Sequence, residues 1–388
     1  MAEDHLLTTA EVARRLRIKP ETIYAYVSRG LLTRVKVPGE RISRFRLSDV
    51  ERLAARTQGT RPERDAEPAM RTAITLIAYN RLFYRGRDAA SLVDTAFEHV
   101  ATLLWDCEPV AFVAPGEALE RARRASEQLP PHARLADRLP VIVAVAAATD
   151  PLRFDLSPST VVSHAPELLA TMVDALPARG EPADTSIAAR LWSRLTDRSP
   201  AAHDLRALNA ALVLLADHDL AASTIAVRVA ASTRAHPYAV VSAGLGALDG
   251  PMHGAVGAAV YRLVETAARD GAAAAIAEQL RSGGLPGLGQ RLYPDGDPRA
   301  RALLDVVPIP AGLQSTLDDL VATANAKPNI DFALAALAYA AEMGPGAAEV
   351  IFALARTAGW IAHAIEEYAQ PPHRFRWSSG YVGPTPAA

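Results

Sequence analysis

Two neighbouring segments set the fold of this chain: Gly250-Pro251-Met252-His253-Gly254 and Pro286-Gly287-Leu288-Gly289-Gln290-Arg291-Leu292-Tyr293. The first ends a long apolar helical pattern with a Gly-Pro break that presents a lone histidine. The second is rich in glycine, which lets the backbone approach a ligand closely. Asp297-Pro298-Arg299 and Pro328-Asn329-Ile330-Asp331-Phe332 follow, and the latter places a carboxylate at the start of another apolar run. The sequence therefore predicts a site built from the ends of several helices.

These four segments resemble the signature segments of citrate synthases and 2-methylcitrate synthases, in the family's order and at about its spacing. The resemblance covers roughly residues 70 to 388. It implies an all-α body with a large and a small helical domain. The large domain would comprise residues 69–254 and 331–388, the latter including the C-terminal tail, and the small domain residues 255–330. It also implies a homodimer, for which the Ala/Gly-rich stripe at residues 243–247 offers a close helix contact.

Joining two carbon units requires a base that removes a proton α to a thioester and a donor that holds the resulting enolate. A carboxylate and a neutral histidine suit these tasks, and Asp331 and His253 are the candidates. The resemblance assigns the same two roles to them. It also assigns substrate-binding roles to four residues: His218, Arg299, Arg356 and Arg376, with Arg374 as a second candidate for the last. Arginine forks suit the carboxylates of a 2-oxo dicarboxylate.

Gln290 departs from the family pattern, which has a histidine that gives a proton to the attacked carbonyl. A glutamine amide donates a hydrogen bond but cannot deliver a proton at neutral pH. The preceding loop, with Leu285, Gly287, Leu288 and Gly289, resembles the family segment that holds the adenine of coenzyme A. We expect an acyl-coenzyme A as substrate, no cofactor and no metal site.

Residues 1–57 form a separate predicted module, followed by a linker at 58–68 that is rich in Arg, Glu, Gly and Pro. Thr8-Thr9-Ala10-Glu11 reads as a capping box, and Pro20 stands where a second helix begins. Alternation from Val35 to Leu47 indicates a β-hairpin wing. The segment resembles excisionase/MerR-like winged helix-turn-helix modules.

Charge supports a nucleic-acid partner for this module. Twelve Lys/Arg oppose seven Asp/Glu in residues 1–57, a net charge of +5, whereas the remainder of the chain carries −7. A basic module on an acidic body is typical of a DNA-binding appendage. The second helix would enter the major groove of duplex DNA and place Thr22, Tyr24 and Arg29 nearest the bases. A small packing domain with a solvated basic face is the alternative.

The remaining composition is that of an ordinary globular chain, with 50% hydrophobic and 22% charged residues. The single cysteine, Cys107, excludes an internal disulfide and fits a reducing cytoplasm. The sequence indicates no signal peptide, and its apolar runs are interrupted by charges or proline short of 18 residues, so we expect no membrane span.

Three functions remain open at this stage. The first is condensation of an acetyl-coenzyme A-like thioester with oxaloacetate or a related 2-oxo acid. The second is a degenerate, ligand-sensing transcriptional regulator, and the third is an inactive partner subunit of an active homologue. Gln290 favours the last two, whereas the presence of His253 and Asp331 favours the enzyme.

Overall fold

The computed structural model describes residues 6–16, 18, 20–28, 31–35, 43–46, 49–50, 53, 70–281, 283–290, 292–375 and 383. Two compact units divide the chain, Met1–Arg71 and Thr72–Ala388. We call them the N-terminal unit and the helical unit and describe each by itself. The finer boundaries that the sequence suggests, a linker at 58–68 and a small domain at 255–330, stay predictions.

The N-terminal unit is a helix-turn-helix with a small sheet, as the sequence predicts. Its elements are β1 (Leu6–Thr8), α1 (Thr9–Leu16), α2 (Pro20–Ser28), β2 (Arg34–Val35) and β3 (Arg44–Arg46). The strands are antiparallel in the order β1-β3-β2. The predicted capping box is present, because the Glu11 carboxylate accepts from the Thr8 N–H at 2.8 Å and the Thr8 hydroxyl accepts from the Glu11 N–H at 3.3 Å. The tip of the predicted wing, including Pro38-Gly39-Glu40, lies outside the described residues.

The helical unit opens with a small antiparallel sheet, which the sequence analysis does not predict. Its strands are β4 (Thr75–Ala78), β5 (Arg81–Tyr84) and β6 (Arg87–Asp88). Tyr84 is fully buried, and its hydroxyl donates to the Asp217 carbonyl at 3.0 Å. The Thr75 hydroxyl donates to the Asp217 carboxylate. This sheet therefore fixes the backbone immediately before His218.

Fourteen α-helices follow among the described residues. They are α3 (Phe97–Trp105), α4 (Gly116–Glu127), α5 (Arg138–Thr149), α6 (Pro158–Asp174), α7 (Ile187–Leu195), α8 (Ala202–Leu215), α9 (Ala222–Ser232), α10 (Pro237–Leu248), α11 (Gly257–Asp270), α12 (Ala272–Arg281), α13 (Pro298–Leu304), α14 (Ala311–Ala324), α15 (Ile330–Ala340) and α16 (Ala347–Tyr368). Short 3₁₀ turns lie at Ala89–Leu92 and Gly254–Val256. The predicted all-α class of the body is confirmed.

Helix α16 is the core of the helical unit, and α8, α9, α10, α6 and α3 pack around it. At 22 residues it is long and apolar enough to cross a bilayer, which the sequence reading did not anticipate. However, 94% of its apolar window is buried by the rest of the protein. Its hydropathy therefore reflects a core position.

Part of the Ala/Gly stripe at residues 243–247 packs against another helix of the same unit. A Cβ on Gly244 would lie 2.7 Å from the Trp360 ring, so this glycine lets α10 approach α16 closely. Gly246 faces open space. The homodimer that the stripe suggested stays a prediction.

A chain of buried polar groups links α16 to the segment before His218. The Asp217 carboxylate lies 3.2 Å from His363 Nε2, and His363 Nδ1 lies 3.1 Å from the Arg228 guanidinium. Arg228 in turn donates to the Glu367 carboxylate at 2.9 Å. Because each member has a partner at hydrogen-bonding distance, the burial of these charges is compensated.

Gly359→Ala tests the close packing of α16 against Asp217. The new Cβ would lie 2.4 Å from both the Ala216 carbonyl oxygen and an Asp217 carboxylate oxygen, and the backbone must move to admit it. We expect a loss of about 1–3 kcal/mol in the free energy of unfolding. Urea denaturation followed by tryptophan fluorescence measures it, because all four tryptophans lie in the helical unit.

The matched control for this substitution is Gly246→Ala, whose Cβ would meet nothing within 4 Å. Alanine is the better helix former, so the control should be neutral or stabilising by up to about 1 kcal/mol. Equal stability of the Gly359→Ala variant and the wild type would contradict the packing described here.

Candidate active site

One cavity of about 810 Å³ in the helical unit brings most of the predicted site residues together. It is lined by His218, Ala221, Met252, His253, Val256, Leu285, Pro286, Gly287, Leu288, Gly289, Gln290, Arg299, Asn329, Ile330, Asp331, Phe352 and Arg356. All three predicted catalytic residues and all four predicted loop residues are in this set. Three of the four predicted substrate-binding residues are there too.

Arg376 and Arg29 are the two predicted residues that lie outside the described part of the chain. Arg374, the second candidate for the role of Arg376, is already engaged by the Glu367 carboxylate, with two contacts of 2.5 Å. The structure therefore gives Arg374 a place in the buried network around α16.

Asp331 is held in the first turn of α15 by the residue that caps this helix. The Asn329 side-chain oxygen accepts from the Asp331 N–H at 3.0 Å, and its amide donates to the Gly289 carbonyl at 3.0 Å. Burial, opposed by Arg299 and reinforced by Asp297, raises the pKa of Asp331 to about 6. At neutral pH Asp331 is thus an ionised carboxylate that is more basic than usual.

His253 is neutral at physiological pH. Burial, together with the nearby Arg356 charge, lowers the pKa of His253 to about 4. Its Nε2 lies 2.9 Å from the hydroxyl of Ser223, which is fully buried at the start of α9, and its ring meets Phe352 edge-on at 5.7 Å. A neutral, oriented imidazole can donate a hydrogen bond without competing for a proton.

The glycine-rich loop is bound to the segment that leads into α15. Gly289 N–H donates to the Lys327 carbonyl at 2.7 Å, and Asn329 N–H donates to the Gly287 carbonyl at 2.9 Å. Gly287 has φ +81°, and a Cβ there would lie 2.6 Å from the Val260 side chain. Only glycine fits this position, and the loop is therefore held against both α11 and α15.

Arg299 follows the buried carboxylate of Asp297, which caps α13. Asp297 accepts from the Arg299 guanidinium at 3.0 and 2.7 Å and from the Ile330 N–H at 3.1 Å. Although burial opposes it, this partner holds the pKa of Arg299 above its ordinary value. The pair joins the Arg299 segment to the helix that carries Asp331.

Arg356 is a buried cation of a different kind. It is 1% exposed, its Nε donates to the Leu215 carbonyl at 2.8 Å, and its guanidinium lies 4.7 Å from the centre of the Phe352 ring. Within the described ranges it forms no ion pair, and burial lowers the pKa of Arg356 to about 10. It is still charged at pH 7, so the cavity holds a positive charge suited to an anionic ligand.

His218 faces the same cavity from the turn after α8. Its Nε2 lies 2.9 Å from the hydroxyl of Tyr293, which is itself buried. Burial, followed by the charges of Arg299 and Arg356, lowers the pKa of His218 well below its usual range. His218 is therefore a second neutral imidazole.

Gln290 lines the cavity at the end of the glycine-rich loop. Its side-chain oxygen lies 3.4 Å from the Leu292 N–H, a long contact that leaves the amide able to reorient. The residue cannot act as an acid, so the titratable groups that line this cavity are His218, His253, Asp331 and the two arginines.

Sequence reasoning missed two residues that orient the histidines, Ser223 and Tyr293. Ser223 meets a histidine 30 positions away, and Tyr293 meets one 75 positions away. Tyr293 ended a recognised segment but had no assigned role. No local pattern marks such pairs, because they form only when helix ends converge.

In the N-terminal unit, the structure describes two of the three residues predicted to contact DNA. Tyr24 is 56% exposed, and the Arg34 guanidinium lies 5.3 Å from the centre of its ring. Thr22 lies two residues earlier on the same helix and is half-buried. Ile23 and Phe45 are buried in the core of this unit.

Comparison with known proteins identifies the class. The site combines two neutral histidines, a carboxylate of raised pKa and buried arginines in a mostly helical body. Residues 65–377 match the family model described as "Citrate synthase, C-terminal domain". The chain belongs to the citrate synthase family. Residues 6–58 match a second family model, described as "Helix-turn-helix domain".

Individual relatives agree with this assignment. The chain is 32% identical over 214 residues to "Citrate synthase 2" of Bacillus subtilis, covering 52% of this chain and 57% of that protein. It is 32% identical over 217 residues to "Citrate synthase" of Dictyostelium discoideum, covering 50% and 42%. The chain thus spans about half the length of the curated relatives it matches.

Solved structures share the fold at lower identity. A citrate synthase from Thermoplasma acidophilum, solved as a ternary complex with carboxymethyl coenzyme A and oxaloacetate, gives a TM-score of 0.68 at 22% identity. The match covers 82% of this chain and 95% of that one. A citrate synthase from Thermotoga maritima gives 0.64 at 24% identity, covering 82% and 94%.

Asp331→Asn should stabilise the protein at high pH. The Asp331 carboxyl has a pKa of about 6 in the folded protein and an ordinary value of 3.8 when unfolded. The folded state therefore disfavours the ionised form, and the free energy of unfolding falls as pH rises through this range. That cost is absent below pH 4, grows between pH 4 and 6 and is complete above pH 6. We expect the Asn variant to be more stable at pH 8 on the order of 1–3 kcal/mol, with the difference shrinking toward pH 4.

Urea denaturation at pH 4.5, 6 and 8 measures this difference. Asp319→Asn, at an exposed position on α14, is the matched control and should show no comparable pH-dependent gain. An Asp331→Asn variant that is no more stable than the wild type at pH 8 contradicts the raised pKa.

Proposed function

We propose that the helical unit binds an acyl-coenzyme A thioester, enolises it and condenses it with a 2-oxo dicarboxylate such as oxaloacetate. The observation that carries the proposal is that Asp331, a carboxylate of raised pKa, shares one cavity with the neutral imidazole of His253 and with Arg356, which forms no ion pair among the described residues. The ternary complex of the Thermoplasma acidophilum relative supports the choice of ligands.

The roles follow from the state of each group. Asp331 removes the proton from the carbon next to the thioester carbonyl, because its raised pKa makes it a better base than an exposed aspartate. His253 donates a hydrogen bond to the thioester oxygen, where negative charge develops. Its neutral state matters, since a neutral donor holds the enolate oxygen without quenching it. The Ser223 hydroxyl orients the ring.

The acceptor would bind on the other side of the cavity. Arg299 and Arg356 supply two guanidinium groups for its two carboxylates, and His218 a hydrogen bond. The enolate carbon then attacks the 2-oxo carbonyl, and hydrolysis of the product thioester releases free coenzyme A. The apolar wall formed by Met252, Val256 and Phe352 suits the acyl group.

Enolisation is tested by exchange of solvent deuterium into acetyl-coenzyme A, with and without malate as an unreactive dicarboxylate. The exchange rate should rise about tenfold per pH unit up to pH 6 and level off above it, because Asp331 must be ionised. His253 stays neutral above pH 4, so its titration adds no second pH-dependent change to the exchange rate in this range. Asp331→Asn should abolish exchange, whereas Asp319→Asn should leave it unchanged.

Absence of both exchange and thioester binding in the wild type would sink the enzymatic proposal. Thioester binding without exchange would instead indicate a sensor of acyl-coenzyme A, and dicarboxylate binding alone would indicate a sensor of dicarboxylates. Gln290 favours this second candidate, because the cavity lacks an acid at that position. A direct readout is calorimetric binding of each ligand by the full chain.

A DNA-binding role for residues 1–57 is common to both candidates and is our second proposal. It is supported by the match to the helix-turn-helix domain, the net charge of +5 and the exposed Tyr24 with Arg34 beside it.

The full chain should bind a mixed-sequence duplex with an affinity that falls steeply as salt rises, because Lys/Arg contacts to phosphates release counterions. Arg34→Gln should weaken binding and reduce the slope of log K against log salt by about 1. Arg301→Gln, at an exposed position in the helical unit, is the control and should change neither. No affinity at 50 mM salt would refute the proposal, and fluorescence anisotropy measures it.

A further inference from the structure

Tyr293 is a buried side chain at the site that the mechanism above does not use. It is 1% exposed, its hydroxyl lies 2.9 Å from His218 Nε2, and the Arg299 guanidinium lies 5.7 Å from the centre of its ring. His218 lines the cavity, and Tyr293 contacts it from the buried side.

This contact, with the tyrosine as donor, sets which ring nitrogen of His218 carries the proton. We assign the Tyr293 hydroxyl as the donor to His218 Nε2 because, among the described residues, its buried proton has no other acceptor. A neutral imidazole has one N–H, which then resides on Nδ1. Because Nε2 is turned to the buried tyrosine, Nδ1 is the nitrogen left to donate into the cavity.

We propose that Tyr293 and His218 form a proton relay that protonates the new hydroxyl group of the product, the step for which Gln290 is unfit. This inference rests on the proposed condensation and names the residue pair that completes it. Tyr293 acts through His218 and is a positioning residue and proton source.

The step balances without an added reagent. As the enolate carbon forms the new C–C bond, the electron pair of the attacked C=O bond moves to its oxygen. That oxygen takes the proton from His218 Nδ1, and Nε2 takes the hydroxyl proton of Tyr293. After the product thioester is hydrolysed the relay resets: Nε2 returns its proton to the Tyr293 oxyanion, and Nδ1 takes a proton from water in the cavity.

The surroundings of Tyr293 fit this role. Burial, opposed by the nearby Arg299 charge, raises the pKa of Tyr293 to about 12, so the hydroxyl is protonated before the reaction. An aliphatic alkoxide is a stronger base than a phenolate and can still draw the proton. Arg299 and Arg356 then stabilise the phenolate that forms.

The test combines Tyr293→Phe with Gln290→His in the full chain. The readouts are deuterium exchange into acetyl-coenzyme A with malate present, and thiol release from acetyl-coenzyme A with oxaloacetate. Tyr293→Phe should lower the condensation kcat by about 10²–10⁴-fold, the worth of a general acid, while exchange stays within about threefold. Gln290→His supplies a direct acid and should restore condensation in the double variant.

Tyr339→Phe is the control, a half-buried tyrosine on α15 that packs against Tyr261 away from the cavity, and it should alter neither rate. Thermal melts of each variant confirm that it is folded. The relay is overturned if the Tyr293→Phe variant condenses at the wild-type rate while its deuterium exchange is intact. It is also overturned if Tyr293→Phe lowers the condensation rate and Gln290→His does not restore that rate in the double variant. Absence of exchange in the wild type overturns the condensation itself, and the relay with it.

Discussion

The buried carboxylate of Asp297 is the constraint on which the site depends. It accepts from the Arg299 guanidinium through both oxygens and from the backbone N–H of Ile330, so it joins two segments more than thirty residues apart. The same negative charge helps to raise the pKa of Asp331. One side chain thus orients the Arg299 guanidinium, binds the first N–H of the helix that carries Asp331 and makes the Asp331 carboxylate more basic.

Arg356 and Asp331 are ionised groups at positions where burial disfavours their charge. Burial therefore lowers the pKa of Arg356 and raises the pKa of Asp331. An anionic ligand would relieve the first of these costs by pairing with Arg356. At the proposed acceptor site, the binding energy of a dicarboxylate would therefore include relief of the free-energy cost of burying Arg356.

Much of the fold and site was predictable because the informative residues are contiguous. The capping box at Thr8 and the Gly-Pro break before His253 each act within one turn of chain and read directly from sequence. The small sheet was missed because its strands are only two to four residues long. The partners Ser223 and Tyr293 were missed because tertiary packing alone brings them to their histidines.

Asn329 joins the glycine-rich loop to the start of α15, because its side chain donates to the Gly289 carbonyl and accepts from the Asp331 N–H. Gln290 follows Gly289 directly, but its side chain takes part in neither of these two hydrogen bonds. Among the described residues, its side-chain oxygen makes only a long contact with the Leu292 N–H. A substitution at residue 290 would therefore leave the part of the site around Asp331 in its present shape. Under the proposed function, such a change would alter the condensation step and leave the proposed thioester site intact.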